Sequence, residues 1–316
     1  MDAAARLDVE RPEHWGPARL PTRRRVMRGV AAVGVSCFAG ASYAFGIEPH
    51  FRLETVRYQV ALPGWDGPPM RIAALADLHA CEPWMPAERV RAIAAHANAL
   101  KPDVIVLLGD YVSSLHRFGE SAVPAMEWGR ALSVLQAPLG VFAVLGNHDF
   151  WERPGPAPVR AALRAAGAKL FENEAVALTH EGQRFWLAGT GSALAYPLGR
   201  GRFRGTDDLP GTLAQVRGQA PLILLAHEPD QFHGTPDRVA LTLSGHTHGG
   251  QVRIPGVGAP FVPSRYGERY AYGHVVEGAR QLVVSGGLGC SGLPVRFGVP
   301  PEITVIEVAG IETTGA

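Results

Sequence analysis

The stretch MRIAALADLH, from Met70 to His79, decides the architecture. Met70 to Ala76 is a short apolar run entered from the Pro- and Gly-rich turn Pro63-Gly64-Trp65-Asp66-Gly67-Pro68-Pro69. An apolar run of this length between turn signals reads as a strand buried on both faces. Asp77 stands at its carboxyl end, and His79 follows two residues later.

The same pattern recurs outward from this stretch. Pro86 to Leu100 carries Val90, Ile93, Ala94 and Ala97 at helical spacing, with Pro86 suited to a first turn. Asp103 to Leu108 is a second buried strand ending in Gly109-Asp110, and Ala122 to Gln136 reads as a second helix. Val141 to Leu145 is a third strand, ending in Gly146-Asn147-His148-Asp149. Strand, polar loop and helix in succession predict a parallel α/β arrangement with helices covering the sheets. Ligands in such folds gather beyond the carboxyl ends of the strands. The second half is richer in strand, at Ala175–Thr179, Phe185–Ala188, Leu222–Ala226, Val239–Leu243, Tyr270–Val276, Gln281–Val284 and Ile303–Val308. A short helix is expected at Thr212–Val216, and Leu198–Gly211 reads as a mobile surface loop. Nothing after the first 47 residues divides the chain: residues 48–69 read as a linker leading into a single domain over 70–316.

Five polar clusters follow strands: Asp77-Leu78-His79, Gly109-Asp110, Gly146-Asn147-His148-Asp149, His227, and Gly245-His246-Thr247-His248-Gly249-Gly250-Gln251. In extended chain, residues i and i+2 point the same way, so Asp77 with His79, and His246 with His248, can each aim two donors at one point. Carboxylate and amide oxygens with imidazole nitrogens suit zinc, manganese or iron. Any one cluster alone reads as a surface turn or a satisfied core histidine. Five in this order, each ending an apolar run, point to a metal site.

Together these clusters resemble the signature of the calcineurin-like metallophosphoesterases, over about Met70 to Val308. The tail Arg296-Phe297-Gly298-Val299-Pro300-Pro301-Glu302-Ile303 and the basic start of the chain are similar to a bacterial branch of envelope-located phosphodiesterases. The resemblance implies a four-layer αββα sandwich, in which two mixed β-sheets pack together with helices outside. It also implies two divalent ions, one held by Asp77, His79 and His248, the other by Asn147, His227 and His246, with Asp110 bridging them. Such a pair lowers the pKa of a shared water, so that hydroxide attacks phosphorus in line. His148 has no ligand role in that pattern and is the candidate proton donor to the departing oxygen, with Asp149 orienting its imidazole. Arg296 is the candidate contact to a substrate phosphate. Trp84 and Met85 read as core, and His14, His50, His96, His116, His180, His233 and His274 as ordinary surface or core histidines.

Composition limits the partners. With 19% charged and 47% hydrophobic residues and a formal net charge of +1, the chain has a globular balance and no basic stripe for a nucleic acid duplex. Any phosphate chemistry therefore comes from a local site. Thr22-Arg23-Arg24-Arg25-Val26-Met27-Arg28 followed by uncharged Gly29 to Ile47 resembles a twin-arginine export signal, which implies the export machinery as a partner and a domain outside the cytoplasm. Cleavage after Ser42-Tyr43-Ala44 and retention as an inner-membrane anchor both remain open. Cys81 and Cys290 are expected as two separate buried thiols. The leading expectation is a phosphodiesterase acting on a phosphate ester, lipid- or cell-wall-linked. Its competitors are a pyrophosphatase of a UDP-diacylglucosamine-type lipid precursor and a metal-stabilised envelope-binding protein without catalysis.

Overall fold

The computed structural model describes residues 22–310. His14 and the first residues of the 1–47 segment lie outside the described residues, as do 311–316 at the end of the expected domain. The chain forms two units that divide between Ser42 and Tyr43. In the first, Arg23–Ser42 is helix α1. Within Met27 to Phe51 the helical segment holds an 18-residue stretch with a mean hydropathy of 1.7, long and apolar enough to cross a membrane.

The second unit begins with a π-helical turn at Tyr43–Ile47 and a helical turn at Glu48–Phe51. Both are built into it: Ala44, Glu48 and Pro49 are buried, the Arg296 N–H donates to the Ala44 carbonyl at 3.0 Å, and the Val299 N–H donates to the Glu48 carboxylate at 3.0 Å. Glu54–Ala61 follows as strand β1 and Met70–Leu75 as β2. Helix α2 spans Ala87–Ala99, β3 Val104–Leu107, α3 Ala125–Leu132 and β4 Val141–Ala143. Helix α4 at Pro156–Ala165 leads to β5 at Lys169–Leu170. A second series comprises β6 at Glu174–His180, β7 at Gln183–Gly189, β8 at Leu222–Leu225, β9 at Leu241–Ser244, β10 at Gly273–Glu277 and β11 at Arg280–Val284. The closing strand, β12 at Glu302–Ala309, returns to the first sheet.

Two mixed six-stranded sheets result, ordered β1-β12-β2-β3-β4-β5 and β10-β11-β9-β8-β7-β6. In the first, β2 to β5 run parallel and β12 runs antiparallel to β2; in the second, β7, β8, β9 and β11 are parallel between antiparallel edges. The continuous apolar runs are explained by burial on both faces. Ile72, Ala74, Val104 and Val106 meet Leu187, Ile223, Leu241 and Val283 between the sheets. Ala73, Leu75, Ile105 and Leu107 meet Val90, Ile93, Trp128, Ala131 and Val159 of the helices outside. The sandwich is four-layered as expected, but its fourth layer is thin. Trp186, Leu222 and Leu224 are covered by a five-residue helix, Leu209–Leu213, and the chain around it.

Three segments differ from the sequence reading. Residues 54–61, read as linker, form an edge strand that pairs in parallel with β12 along its whole length. Its alternation of Val56, Tyr58 and Val60 with Arg57 and Gln59 carried the strand signal. Helix α4 went unread because only Val159, Ala162 and Leu163 mark its buried face. Leu198–Gly211 is no mobile loop: Tyr196–Gly199 and Arg202–Arg204 form a hairpin, and Asp208 caps the following helix by accepting the Gly211 N–H. Local hydrogen bonding, which composition does not reveal, orders it.

Candidate metal centre and cleft

All seven predicted ligands lie at the carboxyl ends of β2, β3, β4, β8 and β9, and all are buried. Five of them hold left-handed backbone: Asp77 (φ 55°), His79 (φ 45°), Asp110 (φ 57°), His246 (φ 70°) and His248 (φ 52°). Residues with a Cβ avoid that region, at a cost of about 1–3 kcal/mol each, and where they collect there, the backbone is held for a purpose. The holding bonds are visible. The Asp77 and His79 N–H groups donate to the carbonyls of Gly109 and Asp110, each at 3.0 Å, and the His246 N–H donates to the Asp77 carboxylate at 2.9 Å. Close packing of these loops requires Gly146: a Cβ there would stand 2.2 Å from Asp110 Oδ1 and 2.6 Å from the Asp110 nitrogen.

The donors converge in two groups, Asp77–His79–His248 and Asp110–His227–His246, each with its ligand atoms within 4.8 Å of one another. Asp110 Oδ2 reaches both, 3.7 Å from His79 Nε2 and 3.2 Å from His227 Nε2. Asn147 Oδ1 lies 3.2 Å from His227 Nε2 and so joins the second group. Main-chain carbonyls set the rings. His79 Nδ1 pairs with Val112 at 2.8 Å, His227 Nδ1 with Leu108 at 2.6 Å and His246 Nε2 with Pro263 at 3.1 Å. A ring that donates outward to a carbonyl turns a lone pair inward, and His246 Nδ1 has no partner in the protein.

Three of the four imidazoles are held neutral, while at His227 burial is outweighed by Asp110, Glu228 and Asp77, which raise its pKa well above the ordinary value. Burial drives the pKa of His79 down to about 3 and that of His246 to about 4, and pushes His248 well below the ordinary value, so these rings are neutral. Burial also raises Asp77 to about 7, whereas at Asp110 burial is outweighed by His227, His148 and His79, which hold it well below the carboxylate range. Among the described residues no Lys or Arg forms a salt bridge with either carboxylate. Two buried acids, an amide oxygen and four imidazoles, three of them with a lone pair turned inward by the carbonyl each ring faces, fit a pair of divalent cations.

The cleft above these donors has a volume of about 550 Å³ and is lined by His148, Asn147, His246, His248, Ser114, His116, Arg117, Trp151, Gln251, Phe261 and Ser291. His148 sits beside the ligands, its N–H donating to Asp110 Oδ1 at 2.8 Å, with Nε2 3.2 Å from Ser291 Oγ and Nδ1 3.9 Å from Glu152 Oε1. Burial opposes its protonation, but Asp110 and Glu152 outweigh burial and raise its pKa.

Several expectations are corrected here. Asp149 does not touch the His148 ring. Its carboxylate accepts the N–H groups of Asp110 (3.1 Å), Gly146 (2.8 Å) and Tyr111 (2.9 Å), tying two ligand loops together, and Glu152 is the acid beside the imidazole. Arg296 is not a substrate contact. It is fully buried, and Nε and Nη1 donate at 2.8 to 2.9 Å to the carbonyls of Gly289, Gly286 and Val299, while Nη2 lies 3.2 Å from His248 Nδ1. Arg117 supplies the cation at the cleft instead. His116 is no bystander: it lines the cleft and bonds Glu152 at 2.6 Å. Ser291 was missed because nothing near it in sequence marks it; Gln251 at the end of the His246 cluster holds it through both main-chain groups. Met85 is core as expected, and Cys81 and Cys290 are free, buried thiols of one small cluster.

Comparison with known proteins places this geometry. Residues 70–250 match the Calcineurin-like phosphoesterase family. The metallophosphoesterase YkuE of Bacillus subtilis (strain 168) is 31% identical over 91% of this chain and 97% of its own length. The phosphodiesterase YaeI of Escherichia coli (strain K12) is 32% identical over 91% of this chain and 99% of its own. A solved dimetal phosphatase from Danio rerio aligns over 69% of this chain and 88% of its own, at 13% identity and a TM-score of 0.41. The protein belongs to the calcineurin-like phosphoesterase family and is a metal-dependent phosphoric ester hydrolase.

Proposed function

We propose that the protein is a two-metal phosphodiesterase acting outside the cytoplasm. The observation that carries this reading is the pair of buried donor groups meeting at Asp110 below a cleft walled by His148. Asp77, His79 and His248 hold one divalent ion, Asn147, His227 and His246 the other, and Asp110 is shared. Bound there, the ions supply a nucleophile from water near neutral pH and neutralise phosphoryl charge. Manganese, zinc and iron all suit the donor set.

His148 hands a proton to the departing oxygen. Its ring lines the cleft, Ser291 meets its Nε2 and Glu152 stands behind its Nδ1, so the imidazole is oriented without Asp149. Arg117 meets a substrate phosphate at the cleft wall. A diester is favoured because a similar protein, YaeI, is named a phosphodiesterase. The paired arginines before the apolar stretch, and the apolar helix itself, support export by the twin-arginine route or retention in the inner membrane, with the basic end inside.

The test is turnover of a chromogenic phosphodiester with manganese, beside a monoester and a nucleotide-linked lipid. Cleavage of the diester in preference to both is expected. Metal-loaded protein inert on all three would instead favour an envelope-binding role.

A further inference from the structure

The rim of the cleft carries a second surface. From Ile254 to Ser264, between Arg253 and Arg265, the chain has no charged residue. It nonetheless projects its apolar side chains: Val257 is 75% exposed, Phe261 72% and Ile254 41%, with Leu293 of the neighbouring loop at 51%. The projection is ordered, because Ile254 and Gly258 form a β-bridge that closes a tight turn around Val257. Large apolar side chains exposed along one short, ordered and uncharged turn offer a surface for apolar contact.

Chain geometry says with what. Val252 bridges Phe297, the Arg253 N–H donates to the Phe297 carbonyl at 2.7 Å, the Phe297 ring meets Tyr43 edge-on, and the Arg296 N–H donates to Ala44. The uncharged turn is thus fastened to the residues through which the apolar N-terminal segment enters the domain. The uncharged stretch Gly29–Ile47 is about 28 Å long at helical rise, barely the roughly 30 Å of a bilayer core. Its last residues, Tyr43 to Ile47, are already part of the domain, and Phe45 and Ile47 are 48% and 47% exposed there. Because Tyr43 to Ile47 belong both to this apolar stretch and to the domain, a helix of this length that crosses a membrane brings the domain surface at Ala44 and Phe297 close to the interface.

We infer that the turn Ile254–Phe261, with Leu293, Phe45 and Ile47, inserts into the lipid surface, so that the cleft lined by Phe261 and Pro263 opens at the membrane rather than into bulk water. The occupant of this apolar rim is the bilayer, not a second copy of the chain. The inference stands apart from the phosphodiesterase reading, since it concerns where the cleft faces.

The full chain carrying Val257→Trp tests it, reconstituted in phosphatidylcholine nanodiscs with either ordinary or brominated acyl chains. Bromine quenches indole only on contact within the acyl region. The added emission, read against wild type, should fall severalfold in brominated discs. Val276→Trp, on the exposed edge strand β10 toward its end away from the donors, should not respond. Ile254→Asp in the Val257→Trp background should lift most of the quenching, while circular dichroism and turnover of the soluble chromogenic diester stay unchanged. Unquenched emission from the Val257→Trp chain, or equal quenching in the Val257→Trp and Val276→Trp chains, overturns the inference. Absence of diester turnover in wild type would count against the function alone and leave the quenching result to decide the rim.

Discussion

Asp110 has the most demanding position in the molecule: its backbone is left-handed, Oδ1 accepts the His148 N–H and Oδ2 stands between two donor groups. A carboxylate shared between two cations offsets their repulsion, so Asp110→Ala should lose metal outright, which elemental analysis of the purified variant checks. His148→Ala should keep both ions yet lose about 10²- to 10⁴-fold in turnover on esters with poor leaving groups; wild-type rates on such an ester would remove the assignment. Arg296 makes the opposite prediction. Its guanidinium satisfies three buried carbonyls, each worth about 1–3 kcal/mol when left unpaired, so Arg296→Ala should lower the stability in urea by about 3 kcal/mol or more. If the variant instead unfolds like wild type and shows only a raised KM, the structural role is wrong. The residues of the two donor groups were legible as polar clusters because each cluster ends an apolar run. The partners of His148 were not, since Glu152 and Ser291 are brought to it by a helical turn and by a loop distant in sequence.

At the scale of elements, helix α3 supports the site from behind. Trp128 is fully buried and stacks on Tyr111 at 5.2 Å, next to Asp110 in the chain. Its indole nitrogen has no hydrogen-bond partner, so the ring contributes by packing alone. Trp128→Phe should therefore cost little, and Trp128→Ala about 3–5 kcal/mol, read from denaturant unfolding. Equal losses in the two variants would show that the nitrogen matters after all. Buried elements such as β2, β3, β8 and α2 were readable because one residue pattern serves both faces or one stripe. Edge strand β1 carries its own signal in the alternation of Val56, Tyr58 and Val60 with Arg57 and Gln59, whereas helix α4 and the 196–204 hairpin were not readable, because their stability comes from neighbours: the α3 face for the helix, a local turn for the hairpin.

For the whole molecule, the two buried acids make the bound ions part of the fold. Chelation should lower the unfolding temperature by several degrees and added manganese should restore it, by mass action on the folded state; calorimetry with and without chelator decides this. The domain that these ions stabilise starts earlier in the chain than the first strand. Ala44 and Glu48 are tied to Arg296 and Val299, so the segment before β1 closes the same body that carries the donors.

By itself, the sequence determined the succession of buried strands and helices, the polar clusters at the strand ends and the apolar helix, because hydrophobic period is a local property written along the chain; the layered sandwich and the grouping of the donors were implied by the family resemblance. Only the tertiary structure decided which acid stands beside His148, that Arg296 is sealed in the core, and that an uncharged turn at the cleft is tied to the residues where the apolar segment enters the domain. Those outcomes depend on which loops the two sheets bring together, and no local pattern encodes that.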